Sequence, residues 1–431
     1  MSYGLEMSNW KIYNLKDIAE VQTGPFGSQL HAHDYVFKGI PVIMPLNIIN
    51  NKLEYEGIAQ IREIDALRLK KHLVREGEIV FSRRGEIDRK ALIKKENNGW
   101  FCGTGCLKVS PKKNLVNPTF LYYRLSTEDV KAWLYNHAVG ATMPNLNTQI
   151  LSNLPLDIPK IEIQQRIAYI LSSFDDKIEL NRRMNQTLEQ MAQALFNHYF
   201  VDNIDPDNLP EEWSLFKIED IADIIDCLHS KKPERVEINT DNILLQLENI
   251  LDNGLLDLNN KFYITGEDYK KWISRIEVSF GDCVITNVGR SGVAARIPKG
   301  VKVAMGRNMT AIRLKKQFNY PAFLITLLTS DFLKAEINKN LDVGTILNAL
   351  NVRSIPKLKF YFPINPIIIE DIEKQLAPIW LLMENNLFEV NKLSSIRDTL
   401  LPKLMSGEID VSELNEEELK EDYVTENILN A

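Results

Sequence analysis

Two stretches of this chain, 205 residues apart, carry the same apolar ladder, and that ladder limits what the chain can become. Ile167, Phe174, Leu188 and Leu195 stand on a seven-residue step, and Leu171, Ile178, Ala192 and Tyr199 follow each by four. Such a seam marks a helix that packs lengthwise against another helix. No proline or glycine falls between residues 162 and 200. The spacing therefore predicts one helix of about 35 residues, roughly 50 Å at about 1.5 Å per residue. One step of the ladder is polar, Asn181. A polar residue in a seam weakens it but fixes register and partner; an amphipathic helix lying on a globular core, with Asn181 at its margin, would show a similar pattern. The second copy favours the first reading. Ile372, Ile379, Leu393 and Leu400 repeat one row, Leu376, Met383, Val390 and Leu404 repeat the other, and the polar step is again asparagine, Asn386. Two seams with one shared defect point to mutual partners, with the asparagines meeting or placed symmetrically about the middle. Pro378 in the first turns, Arg397 in the seam and Pro402 near the end predict a late start or a kink in the second helix.

The repeat covers the rest of the chain as well. WKIYNLKDIAEV from Trp10 matches WSLFKIEDIADI from Trp213, REGEIVFSRRG (75–85) matches SFGDCVITNVG (279–289), NPTFLYYRLST from Asn117 matches YPAFLITLLTS from Tyr320, and GATMPNLN (140–147) matches GTILNALN (344–351). An offset that stays between 203 and 205 over whole halves means duplication. The expected organisation is a mixed α/β unit at 1–158, a long helix at 159–201, a polar, proline-bearing linker at 202–212, a second unit at 213–362, a second helix at 363–406 and an acidic tail at 407–431. Each unit is of a size that can bury its own core. IPVIMPLNI, GEIVFSRR and GCLKVSP read as strands in the first half, and ILLQLENI, GDCVITNVG and MTAIRL in the second. NPTFLYYRLSTEDVKAWLYNHA and YPAFLITLLTSDFLKAEINK each read as one helix opened by proline.

No stretch approaches the length of apolar sequence that spans a membrane, and MSYGLEMSNWK has no signal-peptide core, so the chain reads as cytoplasmic. The four cysteines, Cys102, Cys106, Cys227 and Cys283, form no paired framework. Free thiols are expected, with no metal, and HAHD (31–34) is expected to be a polar loop. The net charge of −7 speaks against a nucleic-acid partner until the tail is set aside. Residues 407–431 carry nine acids against Lys420 alone, a net −8, which leaves the rest of the chain at +1. In that remainder basic residues gather with glycine and with Asn, Gln, Ser and Thr: SRRGEIDRK and IKK at 82–95, PKK at 111–113, GRSGVAAR at 289–296, then Arg307, Lys315 and Lys316. Charge clusters are commonly solvated faces, but this mixture supplies both phosphate holders and side chains that reach base edges. FCGTG (101–105) and NPTF (117–120) are like the cofactor loop and catalytic tetrapeptide of methyltransferases that use S-adenosylmethionine. Eleven residues separate them, too few for the βαβ units such a fold requires, and the glycines run into a strand pattern. No Ser/His/Asp set, carboxylate pair or phosphate loop occurs elsewhere, so no catalytic residue is assigned.

The duplicated unit–helix–unit–helix plan resembles the specificity subunit of Type I restriction-modification systems. TGPFGSQL (23–30), GATMPNLN, GTILNALN, IPKIEIQQRIAYILSSFDDKIELNRR and LPKLMSGEIDV (401–411) carry the resemblance, which extends over nearly the whole chain. The second half departs in having INPIIIEDIEKQ for IPKIEIQQ and no counterpart of GPFGSQL. The resemblance implies two target-recognition domains, each reading half of a bipartite double-stranded DNA site, separated by two long helices packed as an antiparallel coiled coil that sets the spacer. It implies no catalytic centre and no cofactor in this chain. S-adenosylmethionine, ATP and magnesium would belong to the partners, which are modification subunits, two of them, and through them restriction subunits. Because SRRGEIDRK differs from TNVGRSGVAAR, the site is expected to be asymmetric. The loops expected on DNA hold Ser28, Gln29, Arg83, Arg84, Arg89, Lys90, Thr142 and Asn145 in the first unit, and Asn287, Arg290, Ser291, Arg296, Arg307, Asn308 and Asn348 in the second. An adenine methyltransferase in its own right, or a coiled-coil scaffold without DNA preference, remains open at this level.

Overall fold

The computed structural model describes residues 10–140, 142–202, 204–237, 240–342 and 348–415. It divides into two compact units, one formed by the chain through Asp176 together with the segment from Leu393 onward, the other by Lys177–Lys392. The division cuts through both long helices, so each unit owns part of each. The acidic tail beyond residue 415 and the GTIL part of GTILNALN lie outside the described residues.

Duplication is visible in the sheets. The first unit holds four antiparallel strands in the spatial order Ala19–Thr23, Cys106–Pro111, Ile79–Ser82, Lys90–Leu92; the second holds Ala222–Asp226, Met309–Leu314, Cys283–Thr286, Ala294–Arg296 in the same order. Alternate residues feed opposite faces, as the pleat requires. In the second unit Cys283 and Ile285 join a core with Phe323, Ile372 and Met383, whereas Val284 packs with Ala295 and Val303 on the other side. Each unit is also closed by a strand pair, Lys11–Asn14 with Pro155–Ile158 and Trp213–Lys217 with Lys359–Pro363.

Two expectations about local structure change. ILLQLENI forms isolated bridges and a 3-10 turn at Leu247–Asn249 in place of a strand. The helices expected after the sheets are each two: Pro118–Arg124 and Glu128–His137, then Pro321–Thr329 and Asp331–Lys339. A hydroxyl makes each break. Thr127 Oγ1 donates to the Arg124 carbonyl at 2.8 Å, and Ser330 Oγ donates to the Leu327 carbonyl at 2.7 Å while accepting from Leu333 N. Both offer the backbone a partner that competes with helix continuation.

The first unit also buries a small polar group. His72 is 2% exposed and lies 5.8 Å from the Phe101 ring, and its Nδ1 is 3.4 Å from Gln22 Nε2. Burial, aided by the Lys71 and Lys108 ammonium groups, lowers its imidazole to about 4.

The first long helix runs Ile161–Asn197 and continues as a π-helical turn at His198–Asp202; the second runs Pro366–Met405. The expected late start does not occur. The helix opens on Pro366, where no intrahelical N–H is needed, and runs on through Pro378, the burial of Leu376, Ile379 and Trp380 outweighing the one backbone hydrogen bond that proline removes. The seam residues Ile167, Leu171, Phe174, Ile178, Ala192, Ile372, Leu376, Ile379, Met383, Val390, Leu393, Leu400 and Leu404 are buried. Leu188 and Leu195 are half-buried, and at that end Phe196 and Phe200 take over the core positions, stacked at 4.9 Å. A strict seven-residue step drifts against a helix of about 3.6 residues per turn, which moves burial one residue along, from Leu195 to Phe196.

The two asparagines do not meet. Asn181 Nδ2 donates to Glu389 Oε2 at 2.8 Å, and Asn386 Nδ2 donates to Asn185 Oδ1 at 2.9 Å, while Asn185 Nδ2 reaches the Met383 carbonyl at 3.0 Å. Position 185 is the gap in the row Leu171, Ile178, Ala192, so the heptad pattern already pointed to it. In the first unit Arg397, the charged seam residue, is ion-paired with Asp175, which accepts a 2.5 Å hydrogen bond from Tyr123. No helix of the described residues is long and apolar enough to cross a membrane.

Candidate nucleic-acid interface

Strand register brings the candidate loops of each unit to one end of its sheet. Thr23 lies opposite Leu107, Cys106 opposite Ser82 and Phe81 opposite Lys90, so the segments after Thr23 and Ser82 and before Lys90 and Cys106 emerge together. In the second unit Asp226 lies opposite Thr310, Thr286 opposite Met309 and Ile285 opposite Ala294, which gathers the equivalent loops.

Backbone hydrogen bonds then tie the loops to one another. Arg83 N donates to the Gly105 carbonyl at 2.8 Å, and Leu146 N donates to the Arg83 carbonyl at 2.9 Å. Asn287 N donates to the Asn308 carbonyl at 2.8 Å, and Leu350 N to the Asn287 carbonyl at 2.8 Å. The GATMPNLN and GTILNALN repeats are thus stitched to matching positions. The TGPFGSQL loop is pinned at its base, because a Cβ on Gly24 would stand 2.1 Å from the Gly103 carbonyl oxygen.

The candidate side chains separate into two groups. Ser28, Arg84, Thr142, Arg307, Asn308 and Asn348 are exposed at the loop ends. Asn308 adopts φ +62, the left-handed conformation that asparagine tolerates in a tight turn. Partly exposed are Gln29, which closes its own turn by accepting from Phe26 N; Arg83, whose Nε donates to the Leu146 carbonyl; Arg89, paired to Glu86; Ser291, which donates to the Asn287 or Asn348 carbonyl; and Asn145, whose backbone bridges Arg84 and Val139 and whose Oδ1 is buried without a hydrogen-bond partner. Arg290 is committed to the Ile250 carbonyl at 2.8 Å and to an ion pair with Asp252.

Three expectations fail on burial. Lys90 is 3% exposed, its Nζ bonded to the Asp88 carbonyl and standing 5.8 Å over the Phe81 ring; desolvation lowers its amine to about 8. Asn287 is 6% exposed and is a structural clamp, donating to the Leu350 carbonyl and accepting from Thr310 Oγ1. Arg296 lies at the opposite end of its strand, across from Cys283, buried over Trp380 and ion-paired to Glu384 at 2.7 Å. Proximity in sequence to glycine and charge could not reveal this, since Lys90 and Arg296 lie in short strands buried on both faces and Asn287 sits just past the end of one.

Against known proteins, residues 7–190 match the family model described as the Type I restriction modification DNA specificity domain. The chain is similar to specificity subunits of Type I restriction-modification systems. The MjaIX specificity subunit of Methanocaldococcus jannaschii is 27% identical over 94% of this chain and 95% of its own length. The HindI specificity subunit of Haemophilus influenzae is 31% identical over 46% of this chain and 42% of its own. The solved S subunit of M. genitalium shares the fold, with TM-score 0.59 at 18% identity, covering 94% of this chain and 98% of that one.

Proposed function

We propose that this chain is a non-catalytic specificity subunit of a Type I restriction-modification system, and that each of its units reads one half of an asymmetric bipartite site in double-stranded DNA through the loops at the described sheet end. The observation that carries this is the pairing of one conserved frame with two different sets of exposed side chains: Arg84 and Thr142 in one unit, Arg307, Asn308 and Asn348 in the other. We further propose that the two long helices pair as an antiparallel coiled coil that sets the unread spacer. The partners of Asn181 and Asn185 support this, since the second-helix number falls from Glu389 to Asn386 as the first rises. The chain would then hold two modification subunits, which supply S-adenosylmethionine chemistry and flip the target adenine, and through them ATP- and magnesium-dependent restriction subunits. The names of the matched relatives support this reading.

The test is to substitute Arg84 and Arg307 separately by alanine and map methylation on libraries randomised in each half-site. A base-reading arginine costs about 1–3 kcal/mol and relaxes one position, whereas a phosphate-holding one weakens all sequences alike. Each change is expected to act on one half-site only; either change acting equally on both halves overturns the assignment of one unit per half-site.

A further inference from the structure

At the loop end of the second unit, three donors of different chemistry converge. Among the described residues, a carboxylate oxygen of Asp226, the Cys227 sulfur and a ring nitrogen of His229 all lie within 4.8 Å of one another. We propose that Asp226, Cys227 and His229 form a binding site for a zinc-class divalent metal ion, with three protein ligands and one open position. The donor set fits: sulfur, imidazole and carboxylate are the ligands zinc takes, and three protein ligands with one position left open to solvent is its pattern outside closed structural sites.

The surroundings agree in three respects. The Asp226 Oδ1 atom is buried and has no hydrogen-bond partner, so a metal would satisfy a group that is otherwise orphaned. His229 is 69% exposed and lies 2.7 Å from Asp226 Oδ2, which gives the ion a path from solvent and leaves the imidazole free to turn from carboxylate to metal. Arg275 stands 3.7 Å from the Asp226 carboxylate and donates to the Cys227 carbonyl at 3.0 Å. It thereby holds the carboxylate from outside, the arrangement by which metal ligands are commonly oriented. A thiolate and a carboxylate balance a divalent ion, so the nearby guanidinium does not leave the site over-charged. The trio is not duplicated: the repeat mates are Thr23, Gly24 and Phe26, which offer no such set. Sequence spacing concealed the site, since its ligands fall within four residues and lack the paired spacing of finger-type motifs; the pair that drew attention, Cys102 and Cys106, is buried, with Cys106 donating to the Ile43 carbonyl.

The test uses the reduced, chelator-treated full chain titrated with cobalt(II) as a spectroscopic stand-in for zinc. One equivalent should bind with a thiolate-to-metal charge-transfer band that added zinc removes. Cys227→Ser should abolish the band. His229→Ala, at an exposed position, should leave the melting temperature of the metal-free protein unchanged and weaken cobalt binding by about tenfold or more, since even outer contacts to a metal site carry effects of that size. Absence of the band in the parent chain, a band retained in Cys227→Ser, or unchanged affinity in His229→Ala overturns the proposal. Should Cys227→Ser fail to fold, the His229→Ala comparison decides alone.

Discussion

The Asn185–Asn386 pair gives a quantitative test of the helix seam. Both residues are buried, at 7% and 5% exposure, and joined by a 2.9 Å hydrogen bond. Replacing Asn386 by leucine removes the donor and leaves Asn185 Oδ1 buried without a partner, a loss of about 1–3 kcal/mol. Replacing Asn185 by leucine strands Asn386 Nδ2 at similar cost. The double replacement strands neither amide. The Met383 carbonyl that Asn185 also served keeps its helical partner, and two buried leucines should bring the protein to within about 1 kcal/mol of the parent or above it. The two singles should therefore fail to add, with a coupling of about 2–6 kcal/mol, the sum of the two single losses. Hydrogen exchange of amides in 181–190 and 383–392 reads opening free energies locally, so whole-chain two-state unfolding is not required. Additive losses, or a double variant less stable than either single, would refute the reasoning. The alternative replacement of Asn181 with Asn386 is expected to destabilise, because it strands Asn185; Glu389 keeps its ion pair with Lys177 at 3.0 Å.

Breaking the buried Arg296–Glu384 pair by Arg296→Met should cost about 3–5 kcal/mol in urea unfolding without relaxing either half-site, while Arg296→Met with Glu384→Leu should recover most of it; a specificity change without loss of stability would return Arg296 to the DNA-contacting set. Deleting one heptad from each long helix, residues 182–188 with 387–393, removes about 10 Å, or roughly 3 base pairs of spacer, and methylome sequencing should show shorter spacing with both half-sites intact; an unchanged spacer would remove the ruler. His72 is held neutral down to about pH 4 in the fold, whereas the unfolded chain protonates it near 6.5. Unfolding therefore takes up a proton in that window, and stability should fall as pH drops from 6.5 toward 5, by up to about 1.4 kcal/mol per unit. Urea midpoints across that range should lose this slope in His72→Leu; an identical slope in both proteins would contradict it.

Much of this molecule was legible because duplication doubles every signal. The seam was read from spacing alone, and its residues are buried almost throughout. What the pattern hid was partner choice: Asn181 and Asn386 occupy equivalent repeat positions, yet a hydrogen bond depends on which residue faces across, and Glu389 and Asn185 do. The loop end was found from glycine and charge, but Lys90 and Arg296 show the limit of that approach. Each belongs to a short strand buried on both of its faces, so neither side of the pleat offers solvent there. The helix breaks at Thr127 and Ser330 were missed because apolar periodicity continued through them, whereas a hydroxyl bonded to the backbone decided the local geometry.

The bonds that tie the candidate loops together run between main-chain atoms, from Arg83 N to the Gly105 carbonyl and from Asn287 N to the Asn308 carbonyl. A main-chain bond is indifferent to the side chain borne by the same residue, so the loops can exchange Arg84 or Arg307 for other residues while the frame retains its hydrogen bonds. On the proposed reading, variation in what each unit reads is thereby uncoupled from the cost of folding that unit.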